Sequence, residues 1–452
     1  MIFADRAWLG NAWAEQVRIT VADGAIAGLV TGTQPQPGDV RVPALLPALA
    51  NLHSHTFQRA MAGMTEYRSA GQDSFWTWRD LMYRFTDRLS PEQVEAIAAL
   101  VFMEMQEAGF AAVGEFHYLH HQPGGVPYAE PAELSLRIFA AAATTGIGLT
   151  HLPVLYCYGG AGLQPLAQGQ LRFGTTVDQF AELLDDVRKA ATDLPADTRV
   201  GLAPHSLRAI RPGDLGRVSA LGCGGPIHIH IAEQPREVAE ISGWLGARPV
   251  EWLLANADVG PGWCAIHATQ MTAAETVALA QTGAVAGLCP VTEANLGDGP
   301  FNGPGWLAAG GALGIGSDSN VRISMVEELR LLEYSQRLRD LSRNVMVRDA
   351  ASVGQTLYQA AALGGSQALG RRSGRIAPGY LADLVAIDLT HPALCALPPE
   401  RIFDGLVFAA PDAVVTDLWS AGRHQVRQGR HIRRDSILRE WRKTVNALRD
   451  VL

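Results

Sequence analysis

Lysine is nearly missing from this chain. Of its 37 basic residues, only Lys189 and Lys443 are not arginine. Any chemistry that needs a lysine on a particular strand therefore has two candidates, one in a predicted helix (Val177–Thr192) and one near the C-terminus. Cysteine is sparse too. Cys157, Cys223, Cys264, Cys289 and Cys395 make an odd count with no C-x-x-C pair, which argues against a disulfide framework and for buried thiols in a reducing compartment. No apolar run reaches the roughly 18 residues of a membrane span. Asp5, Arg6 and Glu15 interrupt the stretch where a signal h-region would lie, so the expected location is the cytoplasm. Basic excess is absent as well: a net charge of −8 argues against nucleic acid as partner. No G-x-S-x-G elbow exists to carry a serine nucleophile, and Gly159-Gly160 and Gly310-Gly311 fall in no phosphate-loop pattern.

What is present is a chain of 452 residues, 48% hydrophobic and 18% charged, ample for a large core. A TIM barrel takes roughly 250 residues, so one barrel plus a smaller domain fits the length. Val17–Val21 and Ala22–Ile26 read as a hairpin around an Asp23-Gly24 turn. Gln34–Gly38 reads as a loop. A second strand-rich region covers Leu384–Leu389, Ala413–Trp419 and the tail to Gln428. Between these ends, short apolar runs at 45–50, 111–117, 148–156, 199–204, 226–232, 263–267, 284–289 and 312–317 alternate with helical stretches such as Pro91–Ala108. Eight such strands predict an α/β fold: a (β/α)8 TIM barrel with a small β-sandwich domain built from both chain ends. The expected division is 1–45 plus 375–430 for the β domain, 46–374 for the barrel and 431–452 for a C-terminal helix. The first two strands stand about 60 residues apart. That insert carries Phe75-Trp76-Thr77-Trp78-Arg79, whose tryptophans serve either a lid or plain packing.

Catalytic groups of such barrels sit just past the C-terminal ends of the strands. Those positions hold His53 and His55, Glu115 to Tyr118, His205 to Arg208, His228 to Glu233, His267, and Asp318. The H-x-H spacing puts His53 and His55 on one face of an extended strand, and two neutral imidazoles make half of a zinc site. His230 and Asp318 can supply the rest. His228 and His230 form a second such pair, of which at most one binds metal. An imidazole–carboxylate set suits Zn2+, with Fe2+ as the lesser possibility. The cluster His117, His120, His121 has no spacing that closes a metal site.

This arrangement, with its flanking β domain and the return Gly374–Val385, resembles the amidohydrolase superfamily over nearly the whole chain. Binuclear members bridge two metals with a carboxylated lysine on the fourth strand. Neither lysine here lies on a strand, so a single metal follows. His230-Ile231-Ala232-Glu233 resembles the H-x-x-E of the deaminase branch. A narrower resemblance, to the formimidoylglutamate deiminases, is carried by His53–Gly63 (with its Phe57-Gln58-Arg59-Ala60-Met61 run), Glu293–Gly299 and Gly316–Asn320.

The resemblance implies hydrolytic deimination of N-formimino-L-glutamate to N-formyl-L-glutamate and ammonia, in histidine degradation, by a homodimer. Zinc lowers the pKa of bound water toward about 7. Glu233 would shuttle a proton to the substrate nitrogen, His267 would polarise the attacking water, and Asp318 would both ligate metal and accept the water's proton. A substrate with two carboxylates calls for planar bidentate donors; Arg208 and Arg79 are placed for this, with Arg211 a competitor to Arg208. Gln58, Tyr118 and His205 are placed to help. The alternatives are a deaminase of guanine- or adenosine-like rings, or a scaffold that has lost catalysis. The former would call for stacking and amide donors, the latter for missing ligands, and no position of the metal set is missing.

Overall fold

The computed structural model describes residues 1–67, 75–349 and 351–449. Both chain ends contribute to one eight-stranded sheet. Its N-terminal members are Ile2–Trp8, Trp13–Ala22, Ala25–Val30 and Val40–Pro47. Leu384–Ile387, Val415–Ser420, Arg423–Arg427 and Arg430–His431 come from the other end. The join is Val40–Pro47, parallel to Ile2–Trp8 and antiparallel to Leu384–Ile387. The expected hairpin is present, pairing Ala22 with Ala25. Asp23 and Gly24 both have positive φ, 48° and 79°, as a two-residue turn matched to strand twist requires. Ile2, Ala4, Val17, Ile19, Val42, Leu384 and Trp419 form a core of their own inside this sheet.

The middle of the chain is mixed α/β with parallel strands. Leu49–Ser54, Phe110–His117, Gly148–Leu155 and the pair Arg199–Val200 and Ala203–Pro204 form one parallel group. Ile227–Ile231, Trp263–His267, Val285–Leu288 and Ala312–Ile315 form a second. Seven of the expected strands fall on these; the eighth, 45–50, instead straddles the end of Val40–Pro47 in the end sheet and the start of Leu49–Ser54. The strands of both groups are buried along nearly their whole length, as parallel strands covered on both faces must be. Two further details differ from the sequence expectation. The 199–204 strand is interrupted at Gly201, whose missing Cβ would lie 2.3 Å from the Pro226 carbonyl oxygen, so the chain bends around that contact. The 312–317 strand ends at Ile315, and Gly316 to Asn320 turn away to build the site. Single parallel bridges, Leu202 to Ile227, Ser206 to His230 and Ser54 to Asp318, link the two groups at both seams.

Helices connect the strands. Pro91–Glu107 and Val177–Ala191 each begin with a capping box, Ser90 with Gln93 and Thr176 with Gln179, which satisfies two orphan N–H groups at each start. Lys189 lies on the second of these and Lys443 on the terminal helix Arg434–Arg449. The terminal helix buries Ile437, Thr444 and Leu448 and packs on Pro91–Glu107. Part of the long insert, 68–74, lies outside the described residues; beyond it, helix Phe75–Thr86 buries Phe75, Met82 and Phe85. Among the described residues, no helix is long and apolar enough to cross a membrane.

Candidate active site

Four ligand atoms converge where the parallel strands end. His53 closes Leu49–Ser54 and His55 follows it, with ring centroids 4.6 Å apart. His230, on Ile227–Ile231, brings its Nε2 to 3.0 Å from that of His53. Asp318 places Oδ1 at 3.3 Å from His53 Nε2 and 3.2 Å from His55 Nε2. All four side chains are buried, with one ligand atom from each within 4.8 Å of the others.

The protons show what this cluster is for. His55 Nδ1 lies 2.9 Å from the Phe116 carbonyl and His230 Nδ1 3.1 Å from the His205 carbonyl. Each must donate there, which leaves both Nε2 atoms as bare lone pairs. Burial pushes His53 down to about 3, and pushes His230 well below the ordinary range, so neither brings an extra proton. Burial opposes the charge of Asp318, but the His53 and His55 rings beside it hold its carboxyl well below the usual carboxylate range. Lone pairs and a carboxylate thus face one another with too few protons between them. A bound cation resolves this, and pinning of the outer ring nitrogens by carbonyls is how metal-binding histidines are oriented.

The backbone around the cluster is strained at several points. Ala232, His267, Ala268, Asp318 and Asn320 all have positive φ, between 46° and 66°, a conformation that costs non-glycine residues energy and collects at functional sites. Gly316 permits the last turn, since a Cβ there would lie 2.7 Å from the His53 carbonyl oxygen. Polar side chains hold these turns. Asn320 Nδ2 donates to Ser54 Oγ and to the carbonyls of His55 and Asp318, each at 3.1 Å. Ser317 donates to Asn320 at 2.6 Å and accepts from Asn51 at 2.6 Å.

Beside the cluster stand the acid–base candidates. Glu233 Oε1 lies 3.7 Å from His267 Nε2, and burial raises its carboxyl to about 7. For His267, burial works against the charged ring, yet Glu233, Glu293 and Asp318 together raise it to about 10. A dication among the adjacent ligands would work against that charge. Glu293, on helix Pro290–Leu296, accepts from Cys289 N at 2.9 Å and faces His267 Nδ1 at 3.3 Å, which turns the other ring nitrogen to the cavity. Asp298 is buried, close to Glu233 and His267, and accepts from Gln234; burial lifts it to about 9. Glu293 and Asp298 were not singled out by sequence, although both lie in the Glu293–Gly299 run. A carboxylate just past an apolar strand is equally an ordinary helix-start charge.

One cavity opens onto His55, His230, Glu233, His267 and Asp318, and the same wall carries Gln58, Arg79, Tyr118, His205 and Arg208. Gln58 donates to the Tyr118 hydroxyl at 2.8 Å, leaving its own Oε1 without a partner. Burial, then the charge of Arg208, keeps His205 neutral. Arg208 is only 7% exposed, and the Nε of both Arg208 and Arg79 has no hydrogen-bond partner. Arg211 instead turns to the Tyr158 hydroxyl. Helix Phe75–Thr86 adds Met82 and the aromatics Phe75, Trp78 and Tyr83 to the cavity wall, a place the insert's sequence hinted at only through its tryptophans. His120 and His121 are bonded to the carbonyls of Val154 and Gly174, and among the described residues neither they nor His117 join a metal-grade cluster. All five cysteines are free, but only Cys264 and Cys289 are buried as expected; Cys157 is half-buried, and Cys223 and Cys395 are exposed.

Residues 44–424 match the amidohydrolase family model, and residues 1–42 match that of the N-terminal domain of formimidoylglutamate deiminase HutF. The chain is 48% identical to a formimidoylglutamate deiminase of Pseudomonas aeruginosa, over 99% of both. Among solved structures, an amidohydrolase from Brucella melitensis superposes with a TM-score of 0.95 at 46% identity, covering 99% of each chain. An adenosine deaminase from Xanthomonas campestris with bound zinc shares the fold at 23% identity and a TM-score of 0.83, over 99% of this chain and 98% of that one.

Proposed function

We propose, from the premise that this chain belongs to the amidohydrolase family and within it to the formimidoylglutamate deiminases, that it hydrolyses N-formimino-L-glutamate to N-formyl-L-glutamate and ammonia in histidine degradation. The observation that carries the substrate is the cavity wall. Two arginines whose Nε–H groups lack partners line the same hollow as the metal-grade cluster. Buried guanidinium donors left open call for carboxylates, which a dicarboxylate amidine brings and a purine does not.

His53, His55, His230 and Asp318 would hold one metal ion, Zn2+ in our assignment, with Fe2+ accommodated by the same donors. Bound there, zinc supplies a Lewis acid that makes water nucleophilic near neutral pH. The chain's own groups do the rest. Asp318 Oδ1 faces the imidazoles, leaving Oδ2 to take the water's proton. His267, held at Nδ1 by Glu293, points Nε2 at the water and polarises it. Glu233 has a carboxyl near neutrality, so it can give a proton to the substrate nitrogen and take the proton of the added hydroxyl in return, while Asp318 passes the water's first proton to the same nitrogen, which leaves as ammonia when the C–N bond breaks. Arg79 and Arg208 would bind the two carboxylates, and Gln58, Tyr118 and His205 would fix the formimino end.

The same inference covers architecture. Parallel bridges at both seams support closure into a (β/α)8 barrel. The separate core of the end sheet supports a small sandwich formed by 1–45 and 375–430 beside a catalytic domain at 46–374 and a terminal helix from 431. Free thiols fit the cytoplasm, and a homodimer is the assembly we assign. The test is ammonia release from N-formimino-L-glutamate, guanine and adenosine, with metal content measured on the same sample. Release from the first alone, at one zinc per chain, is expected. A zinc-loaded protein inert toward it would sink the proposal.

A further inference from the structure

Outside the metal cavity lies a second, wider hollow, which shares Arg79, Arg208, His205 and Tyr156 with the first. Its outer wall adds Trp76, Arg236 and Trp244. The Trp76 ring stands among three guanidiniums: the Cζ atoms of Arg236, Arg79 and Arg208 lie 4.2, 4.5 and 5.7 Å from its centroid. Stacking on an indole attracts each cation without discharging it. Arg236, on helix Pro235–Leu245, pairs with Glu240 at 2.7 Å but keeps a side chain 59% exposed. In a protein of net charge −8, this is a local positive field in a concave wall, the arrangement that focuses an anion.

We propose that Arg236 and Trp76 form an outer carboxylate subsite, which captures a dicarboxylate anion before it passes inward to Arg79 and Arg208. The inference rests on reading the inner cavity as a dicarboxylate site. Trp76 is the rigid spacer: its ring stands within cation–π reach of the exposed Arg236 and of both inner arginines, so a carboxylate released by one guanidinium has the next close by. Glu240 tempers the outer charge, so the anion is not held there.

The experiment compares wild type with Arg236→Ala, Arg236→Lys and, as control, Arg430→Ala, which removes the same charge from an exposed position of the end sheet. For Arg236→Ala, kcat/KM should fall by about tenfold at low salt, with the loss carried by KM, and its dependence on ionic strength should flatten. Arg236→Lys should recover most of it, and Arg430→Ala should match wild type. A second readout needs no turnover: calorimetric affinity of the zinc-loaded protein for glutarate, a dianion with no reacting group, should weaken in Arg236→Ala at low salt. Unchanged kcat/KM, salt dependence and glutarate affinity in that variant would overturn the subsite. Weakened glutarate binding alongside a wild type inert toward formimino-glutamate would uphold the subsite and overturn the deiminase reading instead.

Discussion

The two ends of the parallel strands both bury charge, and they do it in opposite ways. At the C-terminal end stand the metal-grade cluster and the carboxyls of Glu233, Glu293 and Asp298. At the other end, Asp197, just before the Arg199–Val200 strand, meets Arg423 at 2.7 and 2.9 Å and Arg371 at 3.1 Å. Arg371 also reaches Asp383 on the sheet side at 3.1 Å, and Asp383 accepts from Ala421 N at 2.6 Å. There two carboxylates meet two guanidiniums, the charges cancel, and every guanidinium NH2 that faces a carboxylate is bonded, Arg371 Nε alone staying without a partner. At the site end, bare imidazole nitrogens face a carboxylate, carboxyls outnumber the cations beside them, and arginine Nε–H groups are open. Burial alone does not mark a functional centre. Burial with unsatisfied valence does, because such groups are costly unless a ligand completes them.

The sharpest break of this contrast comes from the site. Glu233→Gln keeps the shape and removes the transferable proton, so turnover should fall 10²- to 10⁴-fold, a range of about that order for general acid–base groups, with metal retained. His230→Ala should lose metal and activity together. Metal analysis beside ammonia release checks both, and equal metal loss in the two variants would contradict the division of roles. At the opposite end, Arg371→Ala leaves Asp197 and Asp383 short of a buried cation. Unfolding free energy in denaturant should drop by about 3–5 kcal/mol, while kcat per folded molecule and metal content hold. A drop under about 1 kcal/mol would mean that the knot is merely a surface-like ion pair.

Arg208→Ala is expected to act between these extremes. It removes charge-assisted bonds worth about 1.5–3 kcal/mol, so KM should rise roughly 10- to 100-fold with metal retained. Unchanged kinetics would remove Arg208 from the pocket.

How far the sequence could carry this contrast differs between the two ends. The metal set was legible because strand alternation aligns His53 with His55, and because His230 and Asp318 each follow an apolar run at a place where barrels put ligands. Seven of the eight strands were legible by the same apolar pattern. Glu293 and Asp298 lay in plain view within a quoted run, but their contact with His267 and Glu233 arises only from the positive-φ turns, which local propensity does not reveal. The knot was invisible. Arg371 and Asp197 are 174 residues apart, and each alone reads as a solvated charge. Trp76 was recognised as either lid or packing; its third role, as a ring shared by arginines, depends on Arg208 and Arg236 arriving from other strand ends.

The smallest effect separates the two ends by sign. Arg423 and Arg371 hold Asp197 below the usual carboxylate range against the cost of its burial. Its folded pKa is therefore lower than its unfolded one, near 3.8, and protons favour the unfolded chain. The knot's contribution is full above that value and is lost as pH falls through the lower, folded one. Glu233 runs the other way: burial lifts it from 4.5 to about 7, so the folded chain binds the extra proton. Stability linked to Glu233 is full below 4.5 and declines as pH rises through about 7. In zinc-free protein, where no ligand masks the site, Asp197→Asn should flatten the acid limb of the stability profile below about pH 4, and Glu233→Gln the limb between about pH 4.5 and 7, each by something on the order of 1 kcal/mol. Denaturant unfolding from about pH 2 to 8 reads both. If the two variants flattened the same limb, the charge at one end would not be balanced in the way its geometry indicates, and the opposition between a satisfied end and an open one would fail.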